Sequence, residues 1–164
     1  MRYSAGIAVV RRRDGIAEVL LVHPGGPFWR NKEEHAWSIP KGEIDDATAA
    51  GGVDAELAER TARREFVEET GHPVPDGPLV ALDEFAVGSG KKLRAFAVAG
   101  DLDASSITSN TFEMEWPPRS GRHQTFPEVD EARWVPIAES RSKLHKGQAK
   151  LVTLLETLLH DIGW

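Results

Sequence analysis

The chain has no cysteine among its 164 residues, which excludes disulfides and thiolate metal sites and is compatible with a reducing compartment. It also lacks any apolar run long enough for a membrane-spanning helix, and "MRYSAGIAVV" offers neither a substantial hydrophobic signal segment nor a cleavage signature. Together these absences lead us to expect a cytoplasmic protein with no membrane partner. An excess of basic charge is missing too: 20 Lys and Arg against 26 Asp and Glu leave a net charge of −6. A cationic face for nucleic acid is therefore not expected, and any polyanion must be met by a local basic cluster or by a metal ion. A small anionic ligand is left open, as is a homodimer. There is no internal repeat and no linker rich enough to divide the chain, so one domain over residues 1–164 is the expectation at this length.

What is present reads as strands and helices alternating irregularly around one core, the pattern of an α+β or mixed α/β fold. "YSAGIAVVRR" and "AEVLLVHP" are short and aliphatic with Arg13-Asp14-Gly15 between them, which predicts two paired strands. "PLVALDEFAV" and "LRAFAVAG" predict two more. The intervening "GSGKK" is read as a hairpin turn, since a phosphate-binding loop would need Gly at Phe85 and Ser or Thr at Lys92. From Asp54 to Thr70 nothing breaks a helix: Asp54 can cap its start, and Gly71 followed by Pro73 can stop it. Leu151, Val152, Leu154, Leu155, Leu158 and Leu159 recur at helical spacing, predicting a closing amphipathic helix. Two long Pro- and Gly-bearing stretches, Pro24 to Gly52 and Pro117 to Pro127, hold several aromatics and cations, and we expect functional loops there.

The most informative stretch is "RREFVEETGH", Arg63 to His72. On a helix Glu65, Glu68 and Glu69 stand at i, i+3 and i+4, so their carboxylates share one side and repel unless something offsets the charge. Ala58 and Ala62 fall in nearly the same sector as Glu65 and Glu69, so this side of the helix can approach another element closely. That places the glutamates at the margin of a packed face. With oxygen donors alone, such a cluster suits Mg²⁺ or Mn²⁺ better than Zn²⁺ or Cu²⁺. Arg64 can orient a carboxylate through its planar guanidinium.

The same residues carry a family resemblance. Glu56, Arg64, Glu65, Glu68, Glu69 and Gly71 satisfy E-x7-R-E-x2-E-E-x-G without a gap, which resembles the core of the Nudix box. "WSIPKGE" (Trp37 to Glu43) resembles the strand and turn that precede the box, and "FPEVDEARWVP" the segment before the closing helix. The chain departs from the pattern twice. The first glycine should stand at Ala50, so Gly42 takes that part only with an insertion of about Asp45 to Gly52, and His72 replaces the final aliphatic residue.

The resemblance implies an α/β/α sandwich around a central mixed β-sheet and a hydrolase that cuts a pyrophosphate bond in a nucleoside diphosphate derivative. It implies Mg²⁺ or Mn²⁺ on Glu65, Glu68 and Glu69, with the Gly42 carbonyl as an added ligand, Arg64 orienting and Glu56 supporting. Glu128 is the loop candidate for the base. Lys41, in Pro-Lys-Gly, is placed to meet a phosphate. Lys91, Lys92, Arg94, Arg119 and Arg122 are further cations, and Phe28, Trp29, Trp37 and Trp116 are candidates to stack on a nucleobase. The segment Trp37 to Gly42 most resembles members acting on dinucleoside polyphosphates. Nucleoside triphosphates, ADP-ribose and other nucleotide sugars are alternatives, as is a module of the same kind that binds a nucleotide without cutting it.

Overall fold

The computed structural model describes residues 1–45 and 53–164. Strand β1 (Arg2–Arg13) turns through Asp14 and Gly15, both at positive φ (51° and 77°), into β2 (Ile16–Pro24). Two consecutive left-handed residues match the twist of the flanking strands, which is why Asp-Gly pins the Arg13–Ile16 register. A three-residue strand, β3 (Lys41–Glu43), pairs antiparallel with the start of β1. Helix α1 (Ala55–Thr70) begins where the Asp54 carboxylate accepts the Leu57 N–H at 2.8 Å and ends at Gly71, whose φ of 72° only glycine adopts freely.

"PLVALDEFAV" forms two pieces, β4 (Val80–Ala81) and β5 (Phe85–Gly88), both paired with β6 (Lys91–Ala99). "GSGKK" is the predicted turn between β5 and β6, with Gly90 at φ 68°. Three strands went unread in the sequence: β7 (Thr111–Glu115), β8 (His123–Pro127) and β9 (Val129–Pro136). The stretch expected as a loop from Pro117 to Pro127 is thus the tip and return strand of a β7–β8 hairpin. Four of the five β8 residues are exposed, so it has no apolar alternation to reveal it. In β9 the buried residues Val129, Ala132 and Val135 are three apart, an interval that mimics a helix. Two helices close the chain, α2 (Ile137–Lys143) and α3 (Ala149–Asp161).

The main sheet runs β4-β6-β1-β2-β9 and is mixed, because β1 pairs parallel with β6 and antiparallel with β2 and β3. Central β1 is buried on both faces. Ala5, Ile7 and Val9 pack with Ala58, Ala62 and Phe66 of α1, whereas Ala8 and Val10 pack with Ile137 of α2 and Leu151, Leu155 and Leu159 of α3. The outcome is the expected α/β/α sandwich. Trp37 is fully buried in the second cluster, which removes it as a base-stacking surface. No helix among the described residues is long and apolar enough to cross a membrane.

Phe66 is the largest side chain that α1 buries, so Phe66→Ala is expected to cost about 3–5 kcal/mol. Thermal unfolding monitored by circular dichroism measures it, and a loss below about 1 kcal/mol would refute this packing.

Candidate active site

Because Ala58 and Ala62 are fully buried, α1 lies close against β1, and the turn that follows brings Glu65 and Glu69 beside β3. Gly42 makes the approach possible: a Cβ there would overlap the Glu65 carboxylate. The Lys41 N–H donates to Glu69 Oε1 at 3.3 Å. Arg64 Nη2 donates to Glu65 Oε1 at 3.3 Å, and its Nε stands 3.8 Å from Glu68 Oε1, so one guanidinium serves two carboxylates.

Glu128 enters from the far side. It follows β8, donates its N–H to the Asn110 carbonyl at 2.8 Å and accepts the Gly25 N–H at 3.0 Å on its own carbonyl. Asn110 N–H in turn donates to the Glu68 carbonyl at 2.9 Å, tying the root of the β7–β8 hairpin to the end of α1. Glu69, Glu128, Lys41, Ser38 and His145 line a small cavity of about 140 Å³.

The electrostatics follow from this crowding. Burial pushes the Glu69 carboxyl up to about 8; Glu65 and Glu128 push the same way, and the Lys41 N–H and ammonium oppose them only in part. Burial also raises Glu65, with Glu68 and Glu128 adding to it and Arg64 opposing. As they stand Glu65 and Glu68 are engaged by Arg64 and Glu69 by the Lys41 N–H, and among the described residues no three acidic or histidine side chains form a group that could hold a metal ion. The donor set nonetheless fits a hard divalent cation: it is all oxygen, lies within one helical turn, and cannot ionise fully without a counter-charge.

The other sequence candidates are placed differently. Glu56 is 84% exposed and pairs with Arg60 at 3.6 Å, so no contact supports its assignment as a prop for the ligands. Arg94 is held by Glu84 at 3.0 Å, as is Lys92 at 3.3 Å, so the two share one carboxylate and are turned toward it. Trp116 meets Phe28 edge to face at 5.5 Å, and the Arg119 N–H is capped by Glu115 at 2.8 Å, both near the hairpin tip. None of these last four residues lines the cavity beside Glu69. Of the expected insertion, residues 46–52, Gly51 included, lie outside the described residues.

One residue escaped the sequence reading. His145, just before a short turn of helix at Lys146–Gln148, lines the cavity with its ring edge-on to Trp29 at 5.2 Å. Burial, then Lys41 and His35, holds its pKa below the ordinary histidine value. Nothing in "KLHKGQ" signals this role, because the residues that surround His145 come from distant parts of the chain.

A profile of the NUDIX domain matches residues 1–155. The chain belongs to the NUDIX family. No curated protein matches it in sequence. Among solved structures it is similar to a C. elegans Ap4A hydrolase in a binary complex, at TM-score 0.61 and 16% identity over 98% of this chain and 99% of that one. It is also similar to the NUDIX domain of Shewanella oneidensis NrtR complexed with ADP ribose, at TM-score 0.59 and 19% identity, covering 96% and 87%. A third is the C-terminal domain of mouse MUTYH in complex with human PCNA, at TM-score 0.59 and 20% identity, covering 96% and 88%. At such identities the likeness carries the fold; the NUDIX fold serves hydrolases and binding domains alike.

Proposed function

We propose that this NUDIX protein is a single-domain hydrolase that cleaves a pyrophosphate bond in a small nucleotide, with a dinucleoside polyphosphate as the preferred substrate class. One observation carries the reading: Glu69, pushed up to about 8 by burial and by neighbouring carboxylates, lines one cavity with Lys41 and Glu128, and Glu65 of the same helical turn stands against Gly42. Glu65, Glu68, Glu69 and the Gly42 carbonyl would hold Mg²⁺ or Mn²⁺. When bound, such a cation offsets phosphate charge and makes phosphorus a better electrophile.

The remaining roles belong to the chain. Arg64 keeps Glu65 and Glu68 from swinging into solvent. Lys41 binds a phosphate oxygen from the floor of the cavity. Glu128, beside Glu69 but more exposed, takes a proton from the attacking water. The water oxygen bonds to phosphorus, the bridging P–O bond breaks, and its electron pair leaves on the departing phosphate.

A screen tests this. Incubated with Mg²⁺ and a panel of nucleoside triphosphates, dinucleoside polyphosphates and nucleotide sugars, the protein is expected to turn over the dinucleoside polyphosphates with the highest kcat/KM. A wide preference for ADP-ribose or one triphosphate would overturn the substrate class and leave the hydrolase. No turnover of any panel member would overturn the hydrolase.

A further inference from the structure

Beside the small cavity at Glu69 lies a larger cleft of about 500 Å³. Lys41 and His145 line both. The cleft is bounded by the start of β1, by β3, by the β5–β6 turn and by Lys146–Gln148. Four cations face it, Arg2, Lys41, Lys91 and Lys146, against one acid, Glu43. Glu43 pairs with Arg2 at 3.6 Å, but both side chains are more than half exposed, so that pair neutralises little. Among the described residues no carboxylate lies within salt-bridge distance of Lys41, Lys91 or Lys146. On a chain with net charge −6, this concentration of unneutralised positive charge is local and one-sided.

The walls of the cleft are braced by contacts the hydrolytic chemistry does not require. Gln148 is 2% exposed; its Nε2 donates to Ser38 Oγ at 2.9 Å and its Oε1 accepts the Ile39 N–H at 3.4 Å, so the Lys146 turn is tied to the residues that lead into Lys41. Gly147 sits so close to β5 that a Cβ would overlap the Val87 carbonyl. The cations are thus mounted on fixed backbone.

Register sets the reach of the cleft. Lys41 stands opposite Gly6 and Lys91 opposite Arg2 on β1, a separation of roughly 13 Å along the strand at about 3.3 Å per residue. A substrate with its scissile bond at Glu69 would meet Lys41 first, because Lys41 lines the same cavity. Only a longer chain brings charge out to Lys91 and Lys146.

We propose that this cleft is a binding site for the phosphates beyond the scissile bond, selecting substrates whose phosphate chain is longer than a diphosphate. The proposal deepens the hydrolase reading and rests on it for the place of the scissile bond. Its test does not depend on turnover. Inorganic tripolyphosphate and inorganic pyrophosphate are titrated calorimetrically, without divalent cations, into the native protein, a Lys91→Gln/Lys146→Gln variant and an Arg13→Gln/Lys150→Gln variant that removes equal charge elsewhere. The four substituted residues are exposed, so folding is retained, which the melting temperature checks. The native protein and the Arg13/Lys150 control are expected to bind tripolyphosphate at least tenfold tighter than pyrophosphate, and the Lys91/Lys146 variant to lose that preference. Equal affinity for the two anions in the native protein, a preference intact in the Lys91/Lys146 variant, or the same loss in the control, would overturn the site. A preference that behaves as expected in a protein that hydrolyses no nucleotide would leave the cleft standing and remove the hydrolase.

Discussion

Glu69→Gln is expected to melt higher than the native protein in metal-free buffer at pH 8, and to hydrolyse nothing measurable. In the unfolded chain Glu69 titrates near 4.5, in the folded protein near 8. Between those values the folded state keeps a proton that the unfolded state has lost, so stability falls as pH rises through that window. At about 1.4 kcal/mol per pH unit the penalty is bounded by about 5 kcal/mol; relaxation and solvent at the margin reduce it to about 2 kcal/mol. Glutamine has the same shape and no proton to lose. Its melting temperature should exceed the native one by roughly 4–8 °C at pH 8 and match it at pH 5. Adding Mg²⁺ should reverse the order, because binding to the folded state stabilises only a protein that retains its ligands. Turnover should fall by several orders of magnitude, since metal assistance supplies several kcal/mol to the transition state. A Glu69→Gln protein with native turnover and a native response to Mg²⁺ would refute the assignment.

Gly42→Ala tests the position of Glu65. The Gly42 backbone lies outside the left-handed region, so alanine meets no dihedral penalty. The obstacle is the Glu65 side chain, whose carboxylate and Cγ an added Cβ would overlap; it is only 16% exposed and is held by Arg64, so it or β3 must shift. The expected loss of stability is therefore about 1–3 kcal/mol, the usual cost of overpacking. Activity should fall by about 10²-fold or more, because a ligand displaced by an ångström no longer meets its partner. The Mg²⁺-induced rise in melting temperature should shrink with it. Native kcat/KM in Gly42→Ala would place Glu65 outside the site.

The contrast between α1 and the β7–β8 hairpin explains which parts of this protein can be read from one dimension. The acidic turn of α1, its Asp54 cap and its Gly71 stop were legible because helix caps, i/i+4 spacing and small residues at Ala58 and Ala62 act within a few residues of one another. The Asp14-Gly15 turn and the family pattern at Glu56 to Gly71 are local in the same sense. Hairpin β7–β8 was not legible: β8 buries little, and the hydrogen bonds that place its root come from Asn110 to the Glu68 carbonyl and from Glu128 to the Asn110 carbonyl.

By itself, then, the sequence determined the helix, the carboxylates it presents, the hard-cation chemistry those donors suit and the family. Tertiary structure alone decided that Arg94 is paired with Glu84 while Lys91 has no carboxylate in salt-bridge distance among the described residues, that Glu56 faces solvent, and that His145 and Lys146 complete a wall beside Lys41. Local pattern follows from dihedral preference and the period of a helix. Which cation keeps its charge free depends on the register between β1, β3 and β6, and register is set by burial of both faces of the sheet at once.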